Sequence, residues 1–330
     1  MSDIKPDAIF QVGCGFMASK LFFVANDIGL FEKLADGPAT LDELRQRIGL
    51  PRRTMRILAD ALVALGLVEL RGDRYQNGPA ADSFLSGRGV EDLRPLLRYL
   101  DQLNYPMWMK LKESVRTGQP VFKDLTLTEE NQQIYSEGVE AFTVEAANML
   151  GATYNFSRHR RVLDLGGGTG SFLIAVLGQH SNLEAVLFER PQVAAVARRR
   201  LAGTPLANRI RIVEGDFFND TIPQDHDAVI IANVMHLLLP QRNLDLLQRI
   251  RIMCPDGARL LLVDFWTDPT HTQPVFAALM AGAFLLRTGE GDVYSEEEVR
   301  GWLQETGWRP VEHKALGGRA SVIVAETAGS

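Results

Sequence analysis

Cysteine is scarce in this 330-residue chain: Cys14 and Cys254 stand far apart, with no CxxC pair and no Cys/His cluster. That excludes a disulfide framework and a zinc site, and no His/Asp/Glu spacing suggests another metal. Basic charge is in deficit as well. The 35 Lys and Arg face 41 Asp and Glu, a formal charge of −6, whereas a nucleic-acid binder neutralises phosphates with a basic patch. The longest uninterrupted apolar runs, LLLVDFW and AALMAGAFLL, fall short of the roughly 18 residues of a membrane span. The first residues, MSDIKPDAIFQ, carry acids where a signal peptide carries basic residues and then an apolar run. No repeat or low-complexity tract interrupts the chain. These absences describe a soluble, cytoplasmic protein without a membrane or nucleic-acid partner. What is present is ordinary globular composition, 46% apolar and 23% charged, in a chain long enough for two cores at about 150 residues per domain.

The front of the chain reads as helices followed by a small wing. Residues 17 to 35 place apolar residues at helical spacing and end at Gly37-Pro38; LDELRQRIGL and a helix from Pro51 follow, and RGDRYQNGP reads as a two-stranded turn around Gly72-Asp73. The order helix, helix, strand, turn, strand is that of a winged helix. In a DNA reader its second helix, here with Arg52, Arg53 and Arg56, would enter the major groove. Three arginines on one helix start are more often a solvated face, and the net acidity favours that reading. Residues 91 to 150 read as helical, with aromatic and Met-rich pieces around Trp108 and Phe142.

From residue 160 short apolar strands alternate with helices: RVLDLG, LEAVLFE, RIRIVEGD, DAVIIANV and ARLLLVDFW. That alternation predicts a parallel sheet with helices on both faces. A helix near 295 to 306 precedes PVEHKAL and ASVIVAET, joined through Gly317-Gly318, which predicts an antiparallel hairpin on the sheet edge. The expectation is an α/β, Rossmann-like sheet of seven strands behind a mostly helical, winged-helix-like domain.

The stretch VLDLGGGTG ends a strand and opens the helix SFLIAVLGQH. Gly166, Gly167, Gly168 and Gly170 let the backbone turn sharply and approach a ligand, and the helix start offers unpaired N–H groups. A dinucleotide fingerprint needs a further glycine where this chain has Ser171, and Asp164 before the loop would repel a pyrophosphate. Both features count against an NAD-dependent dehydrogenase. An acid at Asp164 suits a cationic amine. Glu189 closes the second strand, where a carboxylate takes ribose hydroxyls, and Asp216 with Phe217 closes the third, an acceptor and a ring suited to adenine. In this order the residues point to S-adenosylmethionine.

The series FEKLADGPATLDELRQRIGL, LVALGLVEL, YQNGP, VLDLGGGTGSF, LFERPQV, RIRIVEGDFF, ANVMH and CPDGARLLLVD resembles the class I S-adenosylmethionine-dependent methyltransferases of the caffeate O-methyltransferase-like family. That family includes bacterial phenazine, anthracycline and carotenoid-pathway enzymes, and the resemblance covers nearly the whole chain. It implies that residues 1–93 form a winged-helix-like dimerisation domain and 94–330 a methyltransferase domain with substrate-capping helices. It implies a homodimer in which the first helices, around Phe10 to Phe23, close the partner's substrate pocket. The cofactor residues become Asp164, Gly166, Gly167, Gly168, Glu189, Asp216, Phe217 and Asn233. The general base falls on His236 in ANVMH, and the acceptor side on Trp108, Met109, Phe142, Met280, Ala283 and Phe284, large and adaptable side chains that suit a phenolic or polyketide-like small molecule.

A phenol with a pKa of about 10 is mostly un-ionised at neutral pH, and a histidine near about 6.5 can take its proton as the methyl arrives. Two departures surround that histidine. The family continues His-Asp-Trp, whereas this chain reads His236-Leu237-Leu238-Leu239-Pro240. Where the family places a bracing glutamate in Gly-x-Glu-Arg-Thr, this chain has GEGDVYSEEEV, with Val293 at the glutamate position and Glu290 and Asp292 beside it as candidate substitutes. These departures keep open transfer to nitrogen or carbon and a cofactor-binding enzyme of another reaction type, while the winged-helix order of the front half keeps open a regulator that senses the cofactor.

Overall fold

The computed structural model describes residues 6–89, 91–122 and 128–327. By compactness they form two units: up to Pro106 together with residues 128–142, and residues 107–122 with 143–327.

The first unit opens with α1 (Asp7–Asp27), α2 (Leu30–Ala35), a short β1 (Ala39–Thr40), α3 (Leu41–Ile48) and α4 (Arg52–Ala64). The single helical stretch expected over residues 17 to 35 is divided, because Gly29 takes a left-handed φ of 69° and ends α1. Thr40 and Glu43 cap α3 reciprocally, the Glu43 N–H donating to Thr40 Oγ1 and the Thr40 N–H to Glu43 Oε2. The wing is the antiparallel pair β2 (Val68–Arg71) and β3 (Arg74–Asn77), turning at Gly72, with β1 added on the far side of β3. Leu30, Phe31, Ala39, Leu44, Met55 and Leu62 are fully buried and form this unit's core. On α4, Arg52 pairs with Asp42 and Arg56 with Asp60, both on the surface.

Helix α1 shows what counting uninterrupted runs does not. Its 21 residues have a mean hydropathy of 1.6 over an 18-residue window, long and apolar enough by length and composition to cross a membrane. Ile9, Phe10, Val12, Phe16 and Met17 are exposed on it.

Next come α5 (Pro79–Leu85), α6 (Arg94–Tyr99) leading into a π-helical turn, α7 (Tyr105–Trp108), α8 (Leu111–Thr117) and the long α9 (Glu129–Thr153). The division between units falls within α7 and α9.

The second unit alternates β4 (Arg161–Leu165), α10 (Ser171–Gln179), β5 (Glu184–Glu189), α11 (Pro191–Leu201), β6 (Ile210–Glu214), β7 (Ala228–Ala232), α12 (Pro240–Met253) and β8 (Arg259–Asp264). It ends with α13 (Val275–Arg287), α14 (Glu296–Glu305), β9 (Trp308–Ala315) and β10 (Ser321–Thr327). The seven-stranded sheet has the order β6-β5-β4-β7-β8-β10-β9, parallel from β6 to β8, with β10 antiparallel to both neighbours. This is the expected architecture, hairpin included. Alternate residues of each strand feed two cores: Val162, Leu187, Ile230 and Leu261 face α10 and α9, while Leu163, Val186, Val229 and Leu262 face α12 and α14. Burial on both faces is why these strands read as continuous apolar runs. The strand order reverses between β4 and β7, the crevice where such sheets bind ligands beyond their carboxyl ends.

Candidate active site

Asp164, the penultimate residue of β4, is fully buried, and neither carboxylate oxygen has a hydrogen-bond donor. Burial, with Glu189 adding negative charge, pushes its pKa up to about 8. The glycine loop closes over it. A Cβ on Gly167 would land 2.3 Å from the Asp164 carboxyl and 2.6 Å from Leu187 Cδ1, so only glycine fits. Gly166 has φ 72° and lies between Val234 and Phe217, whose atoms would be 3.1 and 3.5 Å from its Cβ. Glu189 ends β5 and ties the loop down: Gly168 N–H donates to its Oε2 at 3.0 Å and Arg190 N–H to its Oε1 at 2.8 Å. The structure thus gathers Asp164, the glycines, Glu189 and Phe217 at one end of the sheet.

Asp216 is turned inward to its own loop. Its Oδ1 accepts from Phe218 N–H and its Oδ2 from the Asn219 amide. The Phe218 N–H is the main reason its carboxyl lies below the usual range. Asn233 follows β7 in a left-handed conformation, φ 57°, with its N–H donating to Val263 O at 2.9 Å. A non-glycine residue held there is locally strained, a feature that concentrates at functional sites.

A buried carboxylate without donors beneath a loop that excludes side chains fits a ligand that brings a cationic amine. S-adenosylmethionine has one. Glu189 and Asp216 each accept two hydrogen bonds and keep lone pairs for hydroxyl or amino donors.

His236 lies in a short 3-10 turn, Met235–Leu237, after β7, held in place by Asn243, whose amide donates to Met235 O at 3.0 Å. Its Nδ1 donates to Asp264 Oδ1 at 2.7 Å. Asp264, at the end of β8, is 1% exposed; its Oδ1 also accepts from Phe265 N–H, and its Oδ2 has no donor. A carboxylate in its ionised form only accepts, so this contact suits the imidazole tautomer with its proton on Nδ1 and its lone pair on Nε2. Phe284 stacks on the imidazole with centroids 4.2 Å apart and 19° between planes, and Phe265 lies 5.2 Å away.

Asp264 is the residue that sequence reasoning missed. The family's two bracing positions are indeed lost: Leu237 follows the histidine, and Val293 is buried among Phe265, Ala277 and Phe284. Neither Glu290 nor Asp292 replaces them at the ring. Asp292 bonds through its backbone to the His236 carbonyl, and its Oδ1 accepts from Val293 N–H. The orienting acid comes instead from the strand next to the histidine. The signal was available, because an acid closing the apolar run RLLLVD repeats the pattern of Asp164 and Glu189.

On the acceptor side, Phe284 and Ala283 are buried and Met280 packs against the Phe265–Phe284 cluster. Trp108 reaches α13 at Gly282, where an added Cβ would sit 2.9 Å from the indole. Met109 lies apart at the surface, 74% exposed. Phe142 lies on the portion of α9 that belongs to the first unit. Among the described residues no His/Cys/Asp/Glu cluster suits a metal.

Comparison with known proteins gives two family matches: residues 10–87 to an O-methyltransferase dimerisation domain, and residues 108–309 to an O-methyltransferase domain. The chain is 32% identical over 308 residues to a 3-hydroxy-5-methyl-1-naphthoate 3-O-methyltransferase of Streptomyces sahachiroi, covering 92% of this chain and 89% of that one. It is 31% identical to the N,N-dimethyltransferase OxyT of Streptomyces rimosus, covering 92% and 90%. The solved structure of PigF with SAH superposes with a TM-score of 0.83 at 27% identity, covering 98% of this chain and all of that one.

Proposed function

We propose, from the premise that the chain belongs to the O-methyltransferase family, that it methylates a hydroxyl oxygen of a small aromatic, phenolic or polyketide-like acceptor, with His236 as general base. The cofactor is S-adenosylmethionine. When bound it supplies an electrophilic methyl group on a sulfonium. Asp164 would hold its amine, the loop Gly166 to Gly168 its backbone approach, Glu189 the ribose hydroxyls, and Asp216 with Phe217 the adenine; Asn233 borders the same crevice.

The observation that carries the reading is the His236–Asp264 pair. Asp264 holds the proton on Nδ1, so Nε2 can accept the acceptor's hydroxyl proton as the new C–O bond forms. The positive charge then developing on the ring is balanced by the buried carboxylate 2.7 Å away. Phe284, stacked on the imidazole, limits its rotation. Holding the acceptor in line between Nε2 and the methyl donor supplies the remaining advantage, up to about 7–11 kcal/mol in well-oriented reactions. Trp108, Met280, Ala283 and Phe284, all of the second unit, would contact the acceptor's flat body.

Residues 1–93 serve dimerisation and 94–330 catalysis and acceptor capping. The exposed apolar face of α1 falls within the dimerisation match, which supports burial against a second copy rather than lipid. The two free thiols suit a reducing compartment such as the cytoplasm. A relative named as an N,N-dimethyltransferase makes nitrogen the second acceptor class. Methyl transfer from labelled S-adenosylmethionine to a panel of phenols and matched anilines, with wild type and His236→Ala, tests the reading. Phenol methylation lost in the variant supports it, and transfer confined to anilines overturns it.

A further inference from the structure

The end of the sheet that carries His236 also carries an arginine that, among the described residues, pairs with no acid. β10 opens at Ser321, which pairs with Asp264 in antiparallel register. The β9–β10 turn through Gly317, Gly318 and Arg319 therefore lies at the same sheet end as the Asp264–His236 pair. Arg319 is exposed, yet its guanidinium is held 4.6 Å from the ring centre of Phe276 on α13. Phe276 meets Phe265 edge-on at 5.8 Å, and Phe265 lies 5.2 Å from the His236 ring. The guanidinium is thus joined to the base by a short chain of aromatic contacts. Among the described residues no carboxylate forms an ion pair with it. The acid packed against the turn, Glu145, leans on the glycines instead: Cβ atoms on Gly317 and Gly318 would come within 2.8 and 2.7 Å of its oxygens.

An arginine stacked on an aromatic face keeps its in-plane N–H fork free, and that fork matches a carboxylate with two parallel hydrogen bonds. We infer that Arg319 is a specificity residue that binds a carboxylate on the aromatic acceptor. The inference rests on the acceptor reading above and narrows it: the substrate is a hydroxylated aromatic acid, its ring lying along the Phe284, Phe265 and Phe276 side chains and its charged end at the β9–β10 turn. The enzyme then distinguishes such an acid from its uncharged ester at a point remote from the methylated oxygen.

The test compares monohydroxynaphthoic acids with their methyl esters, in wild type, Arg319→Ala and Arg319→Lys. Two readouts are used: steady-state methyl transfer, and calorimetric binding in the presence of S-adenosylhomocysteine, which does not depend on turnover. One charge-assisted hydrogen-bond pair predicts that wild type prefers acid over ester by about tenfold or more in KM or Kd. Arg319→Ala should remove that preference by weakening the acid alone, with kcat little changed, and Arg319→Lys should restore part of it. Equal use of acid and ester by wild type overturns the inference while leaving O-methylation intact. So does equal weakening of both by Arg319→Ala, which would mean the side chain only packs on Phe276. Failure of every acid to bind overturns it too. Binding with the predicted preference but no methyl transfer would support Arg319 and count against the proposed reaction.

Discussion

Replacing Asp264 by asparagine probes the proposed base most directly, because it keeps shape and removes charge. The carboxylate is 1% exposed, accepts from His236 Nδ1 at 2.7 Å and from Phe265 N–H at 3.0 Å, and leaves Oδ2 without a donor. An asparagine can keep both accepted bonds through its carbonyl oxygen and place its amide where Oδ2 stands. What it loses is the negative charge that balances the imidazolium as it forms. Hydrogen bonds to charged groups contribute about 1.5–3 kcal/mol. In the proposed reaction the imidazole gains its charge as the acceptor loses its proton, so that loss falls on the transition state and predicts a fall in kcat of roughly 10- to 150-fold. Cofactor affinity should stay near wild type, because Asp164 and the glycine loop sit on a different strand. The assay is S-adenosylhomocysteine formation across phenols of graded acidity. A phenol ionised at the assay pH needs no base, so the penalty should shrink to within about twofold as acceptor pKa falls below that pH. The reasoning is refuted if Asp264→Asn matches wild type on the least acidic phenols, or if the loss is the same for every acceptor. A melting curve for the variant separates misfolding from either result.

Asp164 gives a pH prediction whose sign is opposite to that of a salt-bridged carboxylate. Its folded pKa, about 8, lies above the ordinary value of 3.8, so between those values the folded state binds the extra proton and stability falls as pH rises. Thermal melts of Asp164→Asn without cofactor should gain on wild type with rising pH and converge with it near pH 4, and parallel curves would count against the assignment. Cofactor binding near pH 7 should release up to about one proton as the carboxyl ionises against the incoming amine, read by calorimetry in buffers of different ionisation enthalpy; no release would sink that role. Gly167→Ala should abolish cofactor binding and cost about 1–3 kcal/mol of stability, since its Cβ would stand 2.3 Å from the Asp164 carboxyl; a variant that melts and binds like wild type would show that the loop is not so closely packed. Phe16→Glu on the exposed face of α1 should convert a dimer to monomer in sedimentation, and an unchanged mass would move the dimer interface elsewhere.

The sequence by itself determined the repeating strand-and-helix order, the edge hairpin and the glycine loop. Each of these is written in local chemistry: runs of β-branched and aliphatic residues buried on both faces, a Gly-Gly turn, and four glycines where a strand becomes a helix. It also placed His236 on the right rim, because a residue just after a parallel strand can lie nowhere else. What it could not express is which acid meets that histidine. Asp264 lies 28 residues away and is brought to it only because β8 pairs with β7 in register, Ala232 beside Val263. Reading along the chain found two empty bracing positions, whereas the sheet fills the need from a neighbouring strand. Met109 shows the same limit from the other side, since helical spacing does not say which residues of an aromatic stretch face inward, and this one is 74% exposed. Arg319 is a third case: its meeting with Phe276 depends on β10 returning antiparallel beside β8, a contact between residues distant in sequence that hydrophobic periodicity does not encode. Local pattern set the elements and the glycine loop, while the order and register of the strands decided which charges stand beside His236.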